Sequence, residues 1–204
     1  MRIGKVAGLW LSIFVLCGAA CAADDYNIDP VHSRVGFAVK HMAVSTVHGR
    51  FTDFSGTISY DDRDPSKSSV NVTIKTASIN TDNTGRDNDL RSANFLDVEK
   101  FPEITFKSKS VEKKGDGFVA HGTLTIRNVP KDVDLAFTLS GPVDGGRGKM
   151  MGAEAGLTIN RQDYGVAWTR SMAGGELVVA NDVRIEINVE AKQAKPAPAP
   201  APGK

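Results

Sequence analysis

Four histidines, His32, His41, His48 and His121, are the residues best suited to hold a metal or move a proton. No two stand at the H-x-H or H-x-x-x-H spacing that sets two imidazoles on one face for zinc. Cys17 and Cys21 both lie close to the N-terminus, so the chain beyond residue 22 has no thiolate to complete such a site. His32 and His41, nine positions apart, are expected on opposite faces of one strand. Asp82, Asp87 and Asp89 cluster, but the stretch lacks the D-x-D-x-D-G core and the closing Glu of a calcium loop. Asp61, Asp62 and Asp64 beside Pro65 read as a solvated hairpin. No G-x-S-x-G elbow, phosphate-cradling loop or dinucleotide fingerprint occurs. The expectation is a non-enzyme with no metal site and no cofactor.

What recurs instead is apolar. Phe37, Phe51, Phe54, Phe95, Phe101, Phe106, Phe118, Phe137 and Trp168 are many bulky groups for one small domain. The elements that must position them read as strands, because apolar and polar residues alternate with period two. Eight are predicted, at about 31–41, 46–60, 69–79, 102–112, 117–127, 132–140, 149–160 and 182–191. Val133, Leu135, Phe137 and Leu139 share a face in the sixth; Val183, Ile185, Ile187 and Val189 do so in the last. One wet and one dry face per strand fits an antiparallel sheet curled on itself, or a sandwich. In the second strand Phe51 is out of phase with Phe54 and Ile58, and a bulge near Thr52-Asp53 would bring all three inward. Glycines inside strands (Gly36, Gly49, Gly56, Gly122, Gly152 and Gly156) favour a curved barrel with internal room.

Helix is scarce. One short helix is predicted over Asn83–Ser92, with Thr84 as N-cap and Leu90 docked inward. The link over 161–181, holding Tyr164 and Trp168, has room for another helical turn. These two long connections are where function is expected to gather. Between the helix and the fourth strand, Phe95, Leu96 and Phe101 precede Pro102 at the strand's start, offering apolar groups to one end of a core or cavity.

The chain opens with Arg2 and Lys5, an apolar run from Val6 to Leu16, and small residues through Ala22, the pattern of a secretory signal peptide over 1–22. Gly18 stands where a lipoprotein signal usually has Leu, so Cys21 is not read as lipidated. Removing these residues takes away two basic groups and no acidic one, turning the formal net charge from +1 to −1. A near-neutral chain without a basic block argues against nucleic acid. No later stretch approaches the roughly 20 apolar residues of a membrane-spanning helix. The domain is expected over 23–191, followed by a disordered, extended Ala-Pro tail over 192–204.

The order Tyr26-x-Ile28-Asp29-x-x-His32-Ser33-x-Val35-x-Phe37, then Val39-x-His41, Gly49-x-Phe51 and Phe54-x-Gly56, resembles the YceI-like family. So do Arg86-Asp87-x-x-Leu90-Arg91-Ser92, Phe101-Pro102-x-Ile104-x-Phe106-x-Ser108, Gly122-x-Leu124-Thr125-Ile126 and Arg161-x-Asp163-Tyr164-Gly165. The resemblance covers Tyr26 to about Glu190. It implies an all-β, eight-stranded antiparallel lipocalin-like barrel with an apolar interior cavity and one or two short helices. It also implies an exported, periplasmic protein that holds a polyisoprenoid chain of the quinone-tail type. Departures are Asn128 in the turn after the fifth strand, Asp89 and Asn94, the last two beside the expected polar lip. The lining is expected from Phe37, Val39, Phe51, Phe54 and Phe95, together with Phe101, Phe106, Leu124, Phe137 and Trp168. Tyr164, Arg161 and His41 are expected at the rim. Alternatives are a fatty-acid or amide lipid as cargo, or a packed barrel that binds envelope partners through its loops or tail; a homodimer is left open.

Overall fold

The structure is a computed structural model that describes residues 23–195. Eight antiparallel staves close into a barrel in chain order. The first three staves are each broken once. β1 (Asp24–Ile28) and β2 (Arg34–His41) form the first, β3 (Ser45–Phe51) and β4 (Phe54–Tyr60) the second, β5 (Ser69–Lys75) and β6 (Ile79–Asn80) the third. The others are β7 (Glu103–Lys114), β8 (Gly117–Ile126), β9 (Val129–Asp144), β10 (Lys149–Asn160) and β11 (Val179–Gln193). Closure is made by β11, which pairs β10 on one side and, on the other, β2 (Ile185 opposite Phe37) and then β1 (Tyr26 opposite Gln193).

Each break has its own side-chain or backbone tie. Asp29 N–H donates to Glu190 O (2.8 Å), and Ser33 Oγ accepts from Glu190 N–H (3.0 Å), fastening the first break to β11. His32 therefore lies in a turn before β2 and does not share a strand with His41, as the spacing had suggested. The same break conceals β1, which the alternation pattern did not announce as a separate strand. At the second break, no bulge forms: the strand stops after Phe51 and resumes at Phe54, while Lys75 N–H donates to Asp53 O (2.9 Å). A bulge does occur in β7 between Ser108 and Ser110, switching the inward residues from Ile104 and Phe106 to Val111. At the third break Thr76, 1% exposed, donates its N–H to Pro102 O (3.0 Å) and its hydroxyl to Phe101 O (2.8 Å).

One α-helix, α1 (Thr84–Arg91), lies in the long connection from β6 to β7. Its N-cap is Asn83, not Thr84: the Asn83 side chain accepts from Arg86 N–H (2.9 Å). A single 3₁₀ turn, Arg161–Tyr164, opens the other long connection and ends at Gly165, whose φ of 75° suits glycine. The two-residue turn from β8 to β9 sets both Arg127 (φ 52°) and Asn128 (φ 59°) in the left-handed region, as a type I′ hairpin needs. β11 runs past 191 to Gln193, and Ala194 N–H still donates to Asp25 O (2.7 Å), so the barrel extends into the stretch assigned to the tail. Residues 1–22 and the Ala-Pro repeat from 196 lie outside the described residues.

Candidate functional site: an apolar cavity along the barrel

Alternation sends every second strand residue inward, and the interior they surround is a cavity of about 270 Å³ with almost no polar atom on its walls. Val133, Leu135, Phe137 and Leu139 of β9 and Val183, Ile185, Ile187 and Val189 of β11 face it. β10 contributes Ala153 and Ala155, small enough to leave room beside the paired rings of Phe118 and Phe137, which stack at 5.4 Å. No carboxylate, imidazole or ammonium belongs to the lining; Tyr60, Ser68, Ser69, Arg161 and Tyr164 are its residues with polar side chains.

Of the ten residues expected on the lining, Phe37, Val39, Phe51, Phe54, Phe95, Phe106, Leu124 and Phe137 line the cavity. Phe101 and Trp168 do not. Phe101 turns away beneath the guanidinium of Arg127, whose Cζ lies 5.2 Å from the ring centroid. Trp168 packs against Phe95 with ring centroids 5.3 Å apart and planes tilted by 34°, and of the two only Phe95 lines the cavity. Both residues sit in or beside irregular connections, where no period tells inside from outside. Phe51, Phe54 and Ile58 do all face inward, through the break between β3 and β4.

The glycines act otherwise than expected. A Cβ on Gly49 would stand 2.3 Å from the Phe37 ring, and one on Gly122 would stand 2.6 Å from that of Phe106. Those glycines seat aromatic rings against the wall. Gly152 and Gly156 meet nothing closer than 3.7 Å.

Arg161 and Tyr164 are buried, not rim residues, at 5% and 3% exposure. The Arg161 guanidinium donates to Val166 O (2.7 Å), Ala180 O (3.0 Å) and Val179 O (3.3 Å), tying the turn after β10 to the start of β11. Desolvation lowers its pKa from the ordinary arginine value. Burial, and secondarily the Asp163 carboxylate, raises that of Tyr164, so the phenol stays neutral. His41 ends β2 and is not on the lining.

At the opposite end Tyr26 is fully buried, and its hydroxyl has no partner among the described residues. Desolvation first, then the Asp24 carboxylate, raises its pKa. Outside the wall, Asp29, His32 and Glu190 bring three ligand-type atoms within 4.8 Å of one another. The charge there is already answered within the chain: Lys192 Nζ stands 2.5 Å from Asp29 Oδ2 and 3.8 Å from Glu190 Oε1. The Lys192 hydrogen bond, followed by that of His32, holds the Asp29 carboxyl well below the usual carboxylate range. Asp87, read from sequence as part of a loose acidic cluster, is buried and accepts from Thr81 N–H (2.8 Å) and Thr81 Oγ1 (2.5 Å). Among the described residues, no helix is long and apolar enough to cross a membrane.

Protein YceI of Salmonella agona is 40% identical over 198 residues, covering 96% of this chain and 100% of that protein. The solved YCEI protein of Campylobacter jejuni is 33% identical with a TM-score of 0.67, over 76% of this chain and 90% of that one. A polyisoprenoid binding domain from Saccharophagus degradans, 17% identical, shares the fold at a TM-score of 0.64 over 83% of this chain and 98% of that one. Residues 26–191 match the YceI-like domain, and with identity of this extent the chain belongs to the YceI-like family.

Proposed function

We propose that this chain is an exported carrier or sequestering protein of the periplasm that holds a long-chain isoprenoid lipid, of the quinone or polyprenyl type, inside its barrel. The observation that carries the reading is the cavity: about 270 Å³ enclosed by Phe, Val, Leu and Ile, with no ionisable acid or base on its walls apart from buried Arg161 and the tyrosines. Each buried CH₂ is worth about 0.8 kcal/mol, or on the order of 3–4 kcal/mol per isoprene unit before ordering costs. Affinity then needs no polar contact inside the barrel. The shared fold of the Saccharophagus degradans polyisoprenoid binding domain supports the capacity of such a barrel to enclose a chain. A wall without carboxylate, imidazole, ammonium or thiol supports a binding role over catalysis.

The test is to extract the protein purified from its native host with organic solvent and identify the lipid by mass spectrometry. One equivalent of an isoprenoid lipid is expected. A fatty acid or amide lipid would redirect the reading to that cargo, and no stoichiometric lipid would end it. Ala155→Phe, which projects a ring into the free space, should abolish lipid retention while leaving the melting temperature unchanged. In a barrel already filled, the same overpacking costs about 1–3 kcal/mol.

A further inference from the structure

The two ends of the cavity are closed by different devices, and that difference identifies a doorway. At one end Tyr26 and Ala191, each at 0% exposure, and Met151 stand on paired strands, and Pro65 and Ser68 of the short connection from β4 to β5 complete the closure. At the other end, Leu90, Phe95 and Leu96 cap the cavity from the α1 connection, and Trp168 from the second long connection packs at a tilt against Phe95. No strand pairing holds Phe95 or Trp168. The segment carrying Phe95 is clasped instead by Arg127 at the β8–β9 hairpin. Arg127 Nη1 donates to Phe95 O and, at 3.4 Å, to Ala93 O, while its guanidinium covers the Phe101 ring. Local backbone bonds (Leu96 N–H to Leu90 O, 3.0 Å) shape the cap, and side chains fasten it to the barrel: Arg127 from the β8–β9 hairpin, and Arg91 on Ala77 O (2.8 Å) and Ile79 O (2.6 Å). At the opposite end most closing side chains stand on paired strands.

We propose that apolar ligands enter and leave between the two long connections, through the doorway closed by the Phe95–Trp168 contact, with Arg127 as its latch. The inference rests on the carrier reading and adds the route and its controlling residue. A latch that touches no ligand slows association and dissociation alike and leaves affinity nearly unchanged, because it raises the barrier between two states without favouring either.

Arg127→Gly is the variant to make, since glycine suits the positive φ at 127 and so removes the guanidinium while sparing the turn. All-trans-retinol, an isoprenoid alcohol whose fluorescence rises on burial, serves as the probe in stopped-flow mixing with the full chain. Both rate constants are expected to rise about tenfold, as losing a charged hydrogen bond allows, with Kd held within about threefold. Trp168→Ala should act in the same direction. Asp64→Ala, which loosens the loop at the opposite end by removing the side chain that accepts from Ser66 N–H, should change neither rate. Retinol binding with unchanged rates in Arg127→Gly, or acceleration by Asp64→Ala instead, overturns the doorway while leaving the carrier reading intact. Failure of the unaltered protein to bind retinol at all counts against the carrier reading itself and takes the doorway with it.

Discussion

The floor and the lid of this barrel are built from the same kinds of residue and held in opposite ways. At the floor, Tyr26 and Ala191 sit on paired strands, so their positions are fixed by ladder hydrogen bonds on both sides. At the lid, Leu90, Phe95 and Trp168 hang from connections that carry local backbone bonds but no ladder, and that side chains reaching for carbonyls fasten to the rest: Thr76 to Phe101, Arg127 to Phe95, Arg161 to Val166. Ladder bonds are cooperative with the fold; single side-chain ties open locally at lower free energy. The floor is therefore held by the sheet itself, and the lid by ties that the proposed route would open.

The largest effect that would test this division is Tyr26→Ala, which empties the best-buried aromatic position of the floor and should cost about 3–5 kcal/mol in urea unfolding. Tyr26→Phe should instead be neutral or stabilising, by up to about 1 kcal/mol, because the hydroxyl it removes has no partner among the described residues. A clear loss on Tyr26→Phe would reveal a partner for that hydroxyl and so a polar floor. Next in size, Arg161→Met at the lid should cost about 2–4 kcal/mol, the price of orphaning the carbonyls of Val166, Val179 and Ala180. Arg161→Lys should recover little of it, since an ammonium cannot reach three divergent carbonyls as a guanidinium does. Full rescue by Lys would mean that charge, not geometry, holds that turn.

The smallest effect is electrostatic and belongs to the outer wall near the floor. Asp29 is depressed chiefly by Lys192, so its contribution is complete above the unfolded carboxyl pKa of about 3.9 and is lost as the pH falls towards its folded value. Lys192 is raised chiefly by Asp29, so its share is lost only as the pH rises beyond the ordinary lysine range of about 10.4. The stability gap between the unaltered protein and Lys192→Met should form a plateau between those limits and narrow below about pH 4. A gap that does not change from neutral pH to about pH 3 would place the Lys192 ammonium away from Asp29.

Much of the barrel was legible along the chain, for a reason visible in β9 and β11. Their inward residues repeat every second position, and a dry face of that kind has nowhere to go but an interior. The breaks were harder. The alternation of Tyr26 and Ile28 in β1 is only five residues long and ends at Asp29 and Pro30, so it does not stand out as a strand. Its partner β11 supplies the missing support from far along the chain: Ser33 and Glu190, which join there, are 157 positions apart. Glycine was misread for a similar reason. Gly49 and Gly122 counted towards internal room, yet each lies under a phenylalanine ring brought by a neighbouring strand.

By itself the sequence determined most of the strands and their dry faces, because a period-two pattern is a local property that survives any packing. Only the tertiary structure decided which aromatics meet the cavity. Phe95, Phe101 and Trp168 lie where the backbone has no period, so their sides depend on Arg127 and on each other. It also decided that Arg161 is buried, since the three carbonyls that satisfy it come from two different segments. Closure of the ring, and with it a fixed floor opposite a latched lid, exists only once the first stave finds the last.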